Sequence, residues 1–137
     1  MIFRQLFDQE TSTYTYLVGD PRTREVVLID PVREQFERDR QLVKELDGQV
    51  KAVLETHIHA DHVTAAAQWR KESGAAIGVA AAAQATGADW SLREGQEIKV
   101  GALCFKVLAT PGHTNSCLSY YLGDRVFTGD ALTIRGC

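Results

Sequence analysis

The chain has 137 residues, a formal net charge of -3, and apolar and charged shares of 45% and 24%, the profile of one globular domain with a real core rather than two of ordinary size. No basic block offers a footprint for nucleic acid or a patch for a membrane surface, and no apolar run nears the roughly 20 residues of a spanning helix. Charges at Arg4 and Asp8 fall where a secretory leader has its apolar region, so a cytoplasmic location is expected. Cys104, Cys117 and Cys137 form no close pair, and their odd number argues for reduced thiols.

Residues 2–7 and 14–18 read as strands joined by the polar turn 8–12, and residues 25–29 as a third that completes an antiparallel meander. Asp30-Pro31 ends it, because proline holds its predecessor extended and supplies no ladder donor. A helix is expected over 34–46, with Phe36, Val43 and Leu46 on one face and Gly48 at its C-terminal cap. Residues 50–56 make the next strand, 62–73 a helix closed by Gly74, and 76–80 a weak strand, an alternation that favours a sheet covered by helices. The alanine-rich stretch to residue 88 fits a short helix or a loop, and Trp90 reads as a packing residue. Residues 98–100 and 103–108 form a hairpin around Gly101, with Leu103, Phe105 and Val107 on one face and a half-buried Cys104 on the other. Residues 116–122 and 125–128 pair across Gly123-Asp124.

Three of the four histidines lie within Thr56-His57-Ile58-His59-Ala60-Asp61-His62, where the apolar run 50–54 stops. In an extended segment His57, His59 and Asp61 point to one side, and His62 joins them as the next helix begins. Neutral imidazoles and a carboxylate are ligands for divalent zinc, iron or manganese. A polar loop with one capping histidine does not account for such a cluster at ligand spacing. Thr110-Pro111-Gly112-His113-Thr114 and Thr128-Gly129-Asp130 also follow strands. Alone, His113 would be a turn residue and Asp130 a turn carboxylate; beside the first cluster they become candidate ligands.

The motifs THIHADH, TPGHT and FTGD, in this order, resemble the metallo-β-lactamase superfamily. That resemblance implies an α+β fold, an αββα sandwich whose metal loops gather along one edge. Further stretches narrow it: Phe3-Arg4-Gln5-Leu6-Phe7, Thr13-Tyr14-Thr15-Tyr16-Leu17, Val27-Leu28-Ile29-Asp30-Pro31-Val32 and Ile134-Arg135-Gly136-Cys137 are similar to the persulfide dioxygenases of the ethylmalonic-encephalopathy-protein type. By that resemblance one Fe(II) is held by His57, His113 and Asp130, which form the catalytic centre as a facial triad with open positions. His59, Asp61, His62, Asp30 and Thr56 would stand around it and orient ligands or waters. The implied reaction oxidises glutathione persulfide with dioxygen and water to glutathione and sulfite, chemistry that zinc, the alternative metal, does not supply.

Members of that family continue past the position of Cys137. Residues 1–137 are therefore expected to be one domain comprising the N-terminal portion of the fold, a homodimer or a chain completed by a C-terminal segment, and not a stable, active monomer alone. Two rival readings stand beside the dioxygenase. In a glyoxalase II-like thioester hydrolase, His57, His59 and His113 would hold one metal, Asp61, His62 and a later histidine a second, and Asp130 would bridge them. The other rival is a non-catalytic metal-binding module.

Overall fold

The computed structural model describes residues 1–56, 65–81, 88–109, 118–123 and 125–127. Its first sheet has the order β1 (Ile2–Asp8), β2 (Thr13–Gly19), β3 (Glu25–Ile29), β4 (Gln49–Leu54), β5 (Ala76–Ala80) and β6 (Trp90–Leu92). β1 to β3 form the expected antiparallel meander, whereas β3 to β6 run parallel. The crossovers carry α1 (Phe36–Glu45), entered through a 3-10 turn at Arg33–Gln35, and α2 (Ala66–Ser73). A second, antiparallel sheet has the order β10 (Arg125–Phe127), β9 (Leu118–Leu122), β8 (Leu103–Ala109) and β7 (Glu97–Val100).

Strands buried on both faces need apolar residues at nearly every position, which is what Val26 to Ile29 supply. Val27, Ile29, Ala52 and Leu54 face the second sheet and pack on Phe105, Val107, Leu118, Tyr120 and Phe127. Val26, Leu28, Val50 and Val53 face the helices and meet Val43, Ala66 and Trp69. Val50 and Val53 share a face despite their odd spacing because the register slips by one residue between Val26 and Val27, opposite the exposed Lys51. Among the described residues both helices lie on the first sheet.

Several local expectations are corrected. The Asp30 backbone lies in the left-handed region (φ 55°) rather than extended. Asp47, not Gly48, takes the left-handed position after α1 (φ 54°), while the Gly48 N–H reaches the Val43 carbonyl at 2.9 Å. Gly74 closes α2 as expected, with φ 73° and its N–H on the Arg70 carbonyl. Cys104 is exposed rather than half-buried. Trp90 does pack against the core, but it opens a short strand paired with β5 that the alanine-rich composition upstream does not signal. Of the helix expected over 62–73, residues 62–64 lie outside the described residues.

The buried face of α1 also carries Asp39, a residue that a search for apolar periodicity passes over. It is fully buried beside Arg38, whose Nε donates to its Oδ1 at 3.0 Å, and burial pushes its carboxyl up to about 6 against that attraction. The neighbouring Asp8 behaves oppositely. Hydrogen bonds from Gln35 and Thr11 hold its carboxyl below the usual range.

Candidate metal centre

Every candidate ligand, namely His57, His59, Asp61, His62, His113 and Asp130, lies outside the described residues, as does Cys137. What the structure fixes is the frame from which their segments depart. Because β3 and β4 are parallel, their C-terminal ends, Ile29 and Leu54, pair at the same edge, the side of an open parallel sheet where ligands bind. Thr56, next to His57, stands just beyond that edge. In the second sheet Ala109 pairs with Leu118, so the segment holding His113 leaves and returns at one point. Phe127, which precedes Thr128-Gly129-Asp130, pairs with Tyr120, two residues from Leu118. The Leu118 N–H donates to the Thr56 carbonyl at 2.5 Å and joins the two edges. All three motif segments thus start from one rim of the sandwich.

The anchors at this rim are buried and polar where they must be. Asp30 is 2% exposed, and its carboxylate accepts the Thr56 N–H at 2.8 Å on Oδ1 and the Thr56 hydroxyl on Oδ2. Its own backbone is held too: its N–H donates to the Leu54 carbonyl at 2.9 Å, and its carbonyl accepts the Thr15 hydroxyl at 2.8 Å. These four bonds offset the left-handed φ, a conformation that Asp tolerates better than most residues.

Glu55 and Thr56 are gripped from both sheets. The Glu55 N–H donates to the Gly78 carbonyl at 3.0 Å, and the Glu55 carbonyl accepts the Tyr120 hydroxyl at 2.5 Å. With the Asp30 and Leu118 contacts, all four backbone groups of the two residues before His57 are engaged, as burial requires. At Gly78 a Cβ would stand 3.0 Å from methyls of both Leu54 and Leu92, so a side chain there would crowd the core. Tyr120 is fully buried, and burial, with the charges of Asp30 and Glu55, pushes its phenol well above the usual range; it remains a donor. Phe127 is 3% exposed and packs on Tyr16 at 5.1 Å, which fixes the strand leading to Asp130.

Asp30 and Thr56 are therefore placed together at the rim. Thr15, Tyr120 and Leu118 were not singled out by sequence. Tyr120 gives the one available signal, since a tyrosine in register with an inward apolar face needs a partner for its hydroxyl. The hollow lined by Arg40, Lys44, Gln49, Trp69 and Ser73 lies at the start of β4, roughly 20 Å of strand from Thr56, and plays no part here. Among the described residues no three metal-binding side chains converge, as follows from all four histidines lying elsewhere in the chain.

A sandwich of two sheets with the three motif segments leaving a shared rim is a metallo-β-lactamase type of fold, and the chain matches the metallo-beta-lactamase superfamily over residues 8–137. It belongs to that superfamily, and membership implies a bound metal. The chain is 43% identical over 139 residues to the mitochondrial persulfide dioxygenase ETHE1 of Bos taurus, covering 100% of this chain and 55% of that protein. The Homo sapiens protein of the same name is 41% identical with the same coverage. The crystal structure of ETHE1 from Myxococcus xanthus superposes with a TM-score of 0.87 at 55% identity, covering 92% of this chain and 56% of that one. The chain spans about half the length of the curated relatives it matches. No helix among the described residues is long and apolar enough to cross a membrane.

Proposed function

We propose that residues 1–137 carry the metal-binding part of a mononuclear iron persulfide dioxygenase, within one metallo-β-lactamase-like domain. The observation that carries this reading is the common rim: the segments bearing His57, His113 and Asp130 all depart from residues that are hydrogen-bonded or paired to one another. The donor set fits the group. Two neutral imidazoles and one carboxylate suit ferrous iron and leave positions open, and they leave the site net positive for an anionic persulfide.

Iron, when bound, supplies the redox chemistry that couples persulfide oxidation to dioxygen; zinc has none. The chain's own contribution is orientation. Asp30 and Tyr120 hold the peptide before Thr56, and with Leu118 they fix the direction in which the chain continues to His57. His59, Asp61 and His62 orient ligands or waters beside the metal. The substrates on this reading are glutathione persulfide and dioxygen, and the products glutathione and sulfite. The names of the more similar relatives support the oxidative reading over thioester hydrolysis.

The test is metal analysis of the full chain with an oxygen-electrode trace on glutathione persulfide. One iron per chain and oxygen consumption are expected. Two zinc ions with thioester cleavage and no oxygen uptake would reverse the choice, and a flat trace from folded, iron-loaded protein would favour a non-catalytic module.

A further inference from the structure

We infer that Tyr120 is a positioning residue for the metal centre: its hydroxyl sets the His57-bearing strand end in register with the strand that follows His113. The inference rests on the reading of His57 and His113 as ligands of one metal. β4 leaves its ladder at Leu54, so the Glu55 carbonyl stands beyond the pairing of the first sheet and still inside the sandwich. A phenylalanine would fill the space between the sheets equally well, as Phe105 and Phe127 do nearby. The hydroxyl adds one thing only, a 2.5 Å hydrogen bond to that carbonyl.

The bond falls on a sensitive peptide unit. Its C=O is held by Tyr120 and its N–H by the Asp30 carboxylate, while the next C=O, that of Thr56, is held by the Leu118 N–H. Two successive peptide planes are thus fixed immediately before His57. Two of these three grips come from β9, the strand entered directly after the segment holding His113. Releasing the Tyr120 grip removes a tie between the two sheets at the first plane, and the two ligand-bearing segments lose a common reference. Groups that orient metal ligands without touching the metal change metal affinity by about 10- to 100-fold when lost.

The experiment compares Tyr120→Phe with Phe105→Leu in the full chain, by titration with Co(II) against a competing chelator and by urea unfolding of both. Phe105→Leu perturbs the same inter-sheet core without touching this hydrogen bond. Tyr120→Phe is expected to raise the Co(II) dissociation constant by about 10-fold and to alter the visible absorption of the bound cobalt. Phe105→Leu is expected to lower the urea midpoint and leave Co(II) affinity and spectrum at parental values. Parental affinity in Tyr120→Phe, or an equal loss in both variants, would overturn the inference. Failure of the parent chain itself to take up Co(II) would instead overturn the reading of the metal site and take this inference with it.

Discussion

The Asp30 carboxylate accepts two hydrogen bonds from a single residue, Thr56, one from its N–H and one from its hydroxyl, across 26 positions of sequence. Removing it takes this acceptor from two buried donors at once. Asp30→Ala is therefore expected to destabilise the chain by roughly 3 kcal/mol. Thr56→Ser, which keeps both donors, should stay close to the parent. Urea midpoints of the two variants check this, and a similar loss in both would exclude the hydroxyl and amide as the cause.

Asp39 makes stability depend on pH. Its folded-state pKa of about 6 lies above the unfolded 3.8, so its contribution is fully present below the lower value and is lost as pH rises through the upper one. The span corresponds to about 3 kcal/mol. Asp39→Asn should flatten the stability profile between pH 4 and pH 6 and be at least as stable as the parent at neutral pH. Denaturant unfolding across that range decides it; an unchanged slope would assign the pH dependence to other carboxylates.

Trp69 joins α2 to α1 through a ring contact of 5.0 Å with Phe36, and its buried indole N–H has no hydrogen-bond partner among the described residues. Truncation to Ala should cost about 3–5 kcal/mol, whereas Trp69→Phe should cost under about 2 kcal/mol because it keeps the ring contact and removes an unsatisfied donor. Thermal melts of both variants would show the difference, and equal losses would mean the indole N–H is satisfied in solution.

Ligand substitutions separate one metal from two. On the mononuclear reading His57→Ala, His113→Ala and Asp130→Ala each lose iron, while His59→Ala keeps one iron per chain and loses only part of the activity, about 10-fold. Elemental analysis after gel filtration reads this directly. Loss of one of two metals in His59→Ala would point to the hydrolase arrangement.

Metal removal has its own signature. Because imidazole and carboxylate bind in their deprotonated forms, adding Fe(II) to chelator-treated protein should release protons, more per bound metal at acidic pH, and should raise the melting temperature, more at neutral than at acidic pH. Anaerobic titration in weak buffer measures both. A melting temperature indifferent to chelation would separate the metal from the fold.

The sequence by itself determined the elements that rest on local patterning. Runs such as Val26 to Ile29 read as strands, Gly74 closes a helix, and His57, His59, Asp61 and His62 fall at a spacing that suits ligands because side-chain period is a property of the backbone. Even local reading failed where a side chain reached outside its own segment. Asp30 is left-handed because its carboxylate is claimed by Thr56, and Asp39 interrupts an apolar stripe beside a half-buried Arg38 that also reaches the Phe7 carbonyl on β1. Only the tertiary structure decided that Tyr120 grips Glu55 and that Leu118 meets Thr56, since these partners stand on different sheets, 65 and 62 positions apart. Contacts of that kind leave no periodic trace in a sequence, because they arise from how two sheets stack and not from how either one repeats.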